Sequence, residues 1–277
     1  VQFLPQQNFD CHQCGKCCAA GWHIPVDEAS AQGIRENYAG HGLRRRPHYL
    51  ELALRKDGTC HFLDRERHLC GLHERFGAEA KPKSCRQFPF EFNQTPAGVF
   101  VGVSFFCPSV AHNQGRPLSE WASHIEGLLD EIEPLQEPFP VHARVGLTWK
   151  AYLELETFLR RNLPGSFATA VELMLEPLRS ARQRQEVWDQ LPFELPSEAA
   201  PPSVPDSLLE RYLEGLLFRK FLLERPLFHQ LCLLREVIGQ LVQALDLYRA
   251  IEQCEFSQLT HAQPTDLAKR ARQILRC

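Results

Sequence analysis

The chain of 277 residues contains no run of eighteen apolar residues, so no transmembrane helix is expected. It has no G-x-G-x-x-G loop of the kind that opens a dinucleotide-binding unit. Its first residues, Val1-Gln2-Phe3-Leu4-Pro5, lack the basic, apolar and small-residue regions of a signal peptide. Position 1 is not Met, which leaves a trimmed leader open; a cytoplasmic location without membrane attachment is the expectation. Collagen, mucin and intrinsic disorder are excluded by 44% hydrophobic content and a net charge of only −3. A chain of this size buries enough surface for one large domain or two smaller ones and needs no disulfides to fold.

Strong basic charge is missing as well. Residues 1–118 hold 14 Lys and Arg against 11 Asp and Glu, and the remainder holds 17 against 23. Neither balance suits a dedicated nucleic-acid binder, so no nucleic-acid partner is expected. Arg44-Arg45-Arg46 is the one basic run. It reads as a solvated patch, with an anionic partner as the alternative.

Cysteine is what the chain has in abundance, and in one place. Eight of the eleven fall before residue 108: Cys11, Cys14, Cys17, Cys18, Cys60, Cys70, Cys85 and Cys107. In a reducing compartment such a cluster points to metal binding or catalysis. The opening run, Cys11-His12-Gln13-Cys14-Gly15-Lys16-Cys17-Cys18, spaces its first three thiols as C-x2-C-x2-C. That spacing turns successive thiolates toward one centre, and Gly15 supplies the positive φ such turns use. Thiolates select zinc or iron–sulfur clusters over hard cations. The run begins like the ferredoxin pattern C-x2-C-x2-C-x3-C-P and then departs from it, because Cys18 follows at once and position 21 is Gly. The radical S-adenosylmethionine spacing C-x3-C-x2-C is absent for the same reason.

Neighbouring side chains diverge, so Cys17 and Cys18 either divide into one ligand and one packing residue or serve different metals. Eight thiols provide for one four-cysteine centre with spares, or for two. Cys60, Cys70, Cys85 and Cys107 come from separate loops, so a centre built on them would hold the domain together. Lys81, Lys83 and Arg86 lie near these thiols in sequence. Arg86, directly after Cys85, is the candidate to balance thiolate or cluster charge. His12, His23, His61, His68 and His73 interleave as further candidate ligands. Cys232 and Cys254 fall in apolar helical sequence, where packing explains them, and Cys277 is terminal.

The expected fold is mainly α. Residues 1–117 read as an irregular, cysteine-rich metal-binding domain with short strands at Trp22–Val26 and Gly98–Phe106 and helices at Asp27–Ala39 and Leu72–Glu79. Residues 118–277 read as an all-α domain. Helical periodicity covers 118–132, Leu147–Leu163, Phe167–Arg184, the stretch from Asp206 to Leu223, Leu227–Cys254 and Thr265–Arg276, with a proline-rich loop near 191–207.

At its cysteine motifs the sequence resembles the YkgJ-type proteins with a CxxCxxCC zinc- or iron-chelating domain, and within them the flagellin lysine N-methylase branch. The resemblance rests on CHQCGKCC, the following Ala19 to Asp27, CHFL, HLCGLH, Phe76-Gly77-Ala78-Glu79 and SCRQFPF, over about residues 9–108. It implies an iron–sulfur cluster, 4Fe-4S and one or two in number, with zinc as the alternative. For the methylase branch it implies methyl transfer from S-adenosylmethionine to a lysine-bearing protein such as flagellin. Trp22 and Arg86 are then candidate contacts to that cofactor, and the acidic helical part would suit a lysine-bearing partner. The competing reading is a non-catalytic electron-transfer or metal-stabilised interaction protein.

Overall fold

The computed structural model describes residues 1–129, 132–163, 167–181, 186–195 and 208–253, the last of these as backbone alone from residue 241. Two compact units emerge: Val1–Leu135 with Phe218–Lys220, and Gln136–Leu217 with Phe221–Cys277. The proline-rich stretch from 196 to 207, Cys254, Cys277 and the helix expected at 265–276 lie outside the described residues.

The first unit is assembled from short pieces. Gln2–Phe3 (β1) and Asn8–Phe9 (β2) lead to a single turn of helix, Lys16–Ala19 (α1), then Pro25–Val26 (β3) and the helix Glu28–Tyr38 (α2). Leu43–Arg45 (β4) and Leu50–Leu52 (β5) follow, then the helices Gly71–Phe76 (α3) and Lys83–Gln87 (α4). A hairpin, Phe90–Thr95 (β6) and Gly98–Val103 (β7), precedes the helix Pro108–Ala111 (α5) and the strand Arg116–Pro117 (β8). The sheets run β1-β7-β6, β3-β5-β4 and β2-β8. Two apolar clusters support them. One gathers Phe9, Phe90, Val101, Val103 and Cys107 about the hairpin. The other gathers Ile34, Leu52, Phe62 and Leu72, with Cys60, Cys70 and Cys85 packed on its flank.

Periodicity at 118–132 yields less helix than expected. Leu118–Trp121 forms a 3₁₀ turn and Ala122–Glu126 (α6) barely more than one α turn, ending at Gly127. Leu118, Ile125 and Leu128 are buried all the same, so the apolar spacing serves packing without a continuous helix.

The second unit corrects the all-α expectation. Phe139–His142 (β9) and Val145–Leu147 (β10) pair antiparallel, and after the helices Trp149–Arg161 (α7) and Phe167–Ser180 (α8) the strand Glu186–Trp188 (β11) pairs parallel with β10. Leu208–Phe218 (α9) and the long helix Leu227–Gln253 (α10) complete the unit. Among the described residues the protein is therefore of mixed α and β class rather than mainly α. Strands of three or four residues are too short to display alternation, and β11 meets its partner only after two helices return the chain. Leu147, read from the sequence as helical, ends β10, while Thr148 caps α7 by accepting from the Ala151 N–H. Val141, Val145 and Leu147 are buried with Tyr152, Leu155 and Leu159 of α7. No helix among the described residues is long and apolar enough to cross a membrane.

Candidate metal centre

Gly15 starts the site. Its φ of +66° turns the chain into α1, and the Ala19 N–H closes that turn on the Gly15 carbonyl at 3.0 Å. This single turn carries Cys17 and Cys18 together, their Sγ atoms 4.0 Å apart. Cys60 is brought alongside by a backbone bond, its N–H donating to the Cys18 carbonyl at 2.8 Å. Cys70 pairs across a bridge with Leu63, three residues beyond Cys60, and then opens α3. Cys85 lies within α4. The start of that helix is fixed by Asp27, whose Oδ2 accepts from the Lys83 N–H at 3.0 Å.

The shifted thiols fall into two groups by the neighbours that shift them. Cys17 is drawn below the ordinary thiol range because Cys18 donates a hydrogen bond to it, and Cys18 is driven up by the same bond, by burial and by charge on Cys17, Cys60 and Cys70. Burial, then charge on Cys70 and Cys17, raises Cys60. Burial, then charge on Cys60, Cys70 and Cys17, pushes Cys85 up to about 12, against the pull of Lys81. Charge on Cys17 and Cys70 thus bears on each of Cys18, Cys60 and Cys85. Cys107 instead feels Cys14 and Cys11, with burial the main cause of its upward shift.

The smaller group has its own anchors. Cys107 is buried at the start of α5, whereas Cys11 and Cys14 are exposed. Asp10 accepts from the Arg116 N–H at 3.1 Å and donates its own N–H to Ser109 Oγ at 3.4 Å, two residues past Cys107. Gly115, at φ +104°, permits this approach, since a Cβ there would sit 2.4 Å from the Asp10 nitrogen. Cys232 is half-buried on α10 in the other unit.

Among the described residues no three His, Cys, Asp or Glu side chains close on a common point as metal ligands do. The chemistry of the larger group nonetheless fits a soft cation. Partly buried thiols are brought together, of which Cys18, Cys60 and Cys85 resist losing their protons singly, and a thiophilic cation is what makes joint ionisation favourable. Zinc and iron both meet that description.

Three of the interleaved histidines have neighbours of their own. His23 Nδ1 lies 3.1 Å from Glu51 Oε2, His61 stands edge-on to Phe62, and His68 lies against Gly15. Burial lowers His61 and His73, with Arg55 and Lys81 respectively adding to it. Trp22 packs among aromatics, edge-on to Phe88 at 5.3 Å and tilted against Phe106 at 4.6 Å between ring centres. Arg86 pairs through Nη1 with Glu79, and its carbonyl accepts from His124 Nε2 at 3.1 Å.

Two residues with larger roles escaped the sequence reading. Asp27 was visible as a helix start, but not as the anchor of the Cys85 helix 56 residues on. Glu51, 1% exposed, gathers Arg46 at 2.8 Å, Arg44 at 3.8 Å and His23, so the basic run turns at least two members onto an internal carboxylate. Its place between Leu50 and Leu52 in a short strand was the available signal.

Neither the curated proteins nor the solved structures contain a match to the chain. Residues 10–102, which span Cys11 to Cys85 and stop short of Cys107, match the CxxCxxCC family model, described as "Putative zinc- or iron-chelating domain", and the match does not single out the methylase branch.

Proposed function

We propose that the first unit is a thiolate-ligated metal module whose principal centre draws its ligands from Cys17, Cys18, Cys60, Cys70 and Cys85, with iron, as an iron–sulfur cluster, its occupant. The observation that carries this reading is the gathering of five thiols from four separate segments: Cys17 and Cys18 lie 4.0 Å apart, the Cys60 N–H bonds the Cys18 carbonyl, and Cys60, Cys70 and Cys85 pack on one apolar cluster. Four thiolates would hold either a four-iron cluster or a closed zinc site, with one of the five left over, and the choice of iron is supported by the resemblance of the cysteine motifs. When bound, such a cluster supplies a redox-active Lewis-acidic centre.

One distance favours zinc instead. Two thiolates 2.3 Å from a tetrahedral zinc are about 3.8 Å apart, close to the 4.0 Å between Cys17 and Cys18. Anaerobic purification with iron, zinc and acid-labile sulfide analysis separates the two readings. About four irons and four sulfides per chain are expected for one four-iron cluster. Serine at Cys60, Cys70 or Cys85 should release them, while serine at Cys107 should retain them. Zinc without sulfide would replace the cluster by a zinc module, and metal loss only from the Cys107 variant would overturn the assignment of ligands.

For the chemistry served we propose methyl transfer from S-adenosylmethionine to a protein lysine, a reading supported by the resemblance of the cysteine motifs alone. Calorimetric titration of the metal-loaded protein with S-adenosylmethionine is expected to saturate. No heat of binding would leave the electron-transfer or interaction reading.

A further inference from the structure

A cleft of about 350 Å³ opens between α2, α3 and the segment from Glu79 to Arg86, a volume within the range of small-molecule sites. Its apolar walls come from Ile34, Tyr38, Leu72 and Phe76. Phe76 is 46% exposed, an unusual state for a large aromatic, and stands edge-on to Tyr38 at 5.9 Å. Gly33 also lines the cleft. A Cβ added there would meet nothing within 4 Å, so no packing demands a glycine in the middle of this helix, where it costs about 0.5–1 kcal/mol relative to alanine. The missing side chain leaves room.

The polar end of the cleft is Arg86. Its Nη1 holds Glu79, a carboxylate 78% exposed, while its Nε is buried and hydrogen-bonds to nothing among the described residues. A guanidinium with one edge unspent and the other on a solvated carboxylate is suited to an incoming carboxylate, which it binds through two parallel N–H donors. An exposed ion pair of this kind is weak, so Glu79 yields readily. The other carboxylate in the lining, Asp27, is already engaged by the Ser30 hydroxyl and by the N–H groups of Ser30 and Lys83.

We propose that this cleft is a binding site for a small-molecule carboxylate, its charged end on Arg86 and its apolar body against Ile34, Tyr38, Leu72 and Phe76. The site adjoins the thiol centre, since Leu72 and Arg86 follow Cys70 and Cys85 by two residues and one, and those thiols pack on the Ile34–Leu72 cluster. The proposal does not depend on which metal that centre holds.

Phenylacetate and its neutral counterpart phenylacetamide are the probes, titrated by ligand-observed NMR into the full chain with metal content measured on every variant. Phenylacetate is expected to bind about tenfold or more tightly than phenylacetamide, the loss of a charged hydrogen-bond partner. Glu79→Gln, which frees Arg86, should tighten phenylacetate by up to about fivefold. Gly33→Leu should abolish binding of both probes at unchanged metal content, with Gly33→Ala as the folded control. Equal affinity for the two probes, no binding of either at millimolar concentration, or phenylacetate affinity indifferent to both Glu79→Gln and Gly33→Leu would overturn the site. If Gly33→Leu does not fold, Glu79→Gln decides.

Discussion

Glu51 keeps its charge while 1% exposed because cations surround it. The hydrogen bond from Arg46 lowers its carboxyl below the ordinary value of 4.5; burial opposes this, and the charges of Arg46 and His23 assist. A carboxylate depressed by folding contributes stability that is complete above its unfolded pKa and is lost as pH falls through its folded pKa. Stability should therefore hold through neutral pH and decline below about pH 4.5. Glu51→Gln should be less stable at pH 7, leaving Arg46 without its carboxylate, and should decline less steeply with acid. The slope would not vanish, because Asp27, Asp57 and Asp64 are also lowered. Urea titrations of both proteins at several pH values between 3 and 7 provide the check, and parallel slopes would deny Glu51 this role. The same residue marks a limit of sequence reading. Leu50-Glu51-Leu52 and Arg44-Arg45-Arg46 are each ordinary surface sequence until β4 and β5 pair, and that pairing sets Arg44 opposite Glu51.

At the scale of elements, helices with strong local signals were legible and strands that depend on distant partners were not. Asp27-Glu28 announced α2 and Gly40 its end, and the structure has that helix at Glu28–Tyr38 with Asp27 as its cap. The hairpin of β6 and β7 showed only its second half in Val99, Val101 and Val103, because β6 alternates only from Phe90 to Asn93 before Gln94 and Thr95 end the pattern. Asp27 also joins two elements. It accepts from Ser30 at the start of α2 and from Lys83 at the start of α4, and it therefore couples a cap to the helix that holds Cys85. Burial alone would raise its carboxyl, but the N–H groups of Lys83 and Ser30 outweigh that and leave it lowered. Asp27→Ala loses both bonds. A cap is worth about 0.5–2 kcal/mol and the second bond about 1 kcal/mol, so a loss of about 2 kcal/mol in urea unfolding is expected. Release of metal from the variant should be faster than from wild type in a chelator competition, because α4 loses an anchor. Asp27→Asn, which keeps one acceptor oxygen, should recover part of each. A variant with normal metal retention would separate the cap from the site.

For the whole molecule, a metal-binding cysteine motif was readable from sequence, in agreement with the family match over residues 10–102, but the grouping of the eight amino-terminal thiols was not. C-x2-C-x2-C-C looks like a single motif, yet Gly15 lies between Cys14 and Cys17, and the influences felt by the thiols divide on either side of that turn. Only folding brings Cys107 toward Cys11 through the bonds of Asp10 to Ser109 and Arg116. The two units also differ in what supports them. The thiol-flanked cluster of the first unit rests on four buried residues, Ile34, Leu52, Phe62 and Leu72, with three cysteines at its edge. The second buries Tyr152, Phe139, Phe167, Leu147, Leu155, Leu159, Met174, Leu175 and Leu178 almost completely, with no thiol among them. The first unit also holds the cluster about its hairpin, so a ligated metal would support chiefly the small thiol-flanked cluster, whereas the core of the second unit has no thiol to ligate. Calorimetry of the metal-loaded chain should therefore show two transitions, since units with separate cores need not unfold together. Stripping the metal with a chelator should lower or abolish one transition and leave the other within about 2 °C, a shift well below the 4–8 °C that 1 kcal/mol produces in a small domain. Far-ultraviolet circular dichroism should retain most of its helical signal, because the long helices α7, α8 and α10 belong to the second unit. A stripped protein whose two transitions both fell would show that the metal supports the whole chain. One in which neither moved would remove the centre from the fold and leave it a purely functional role.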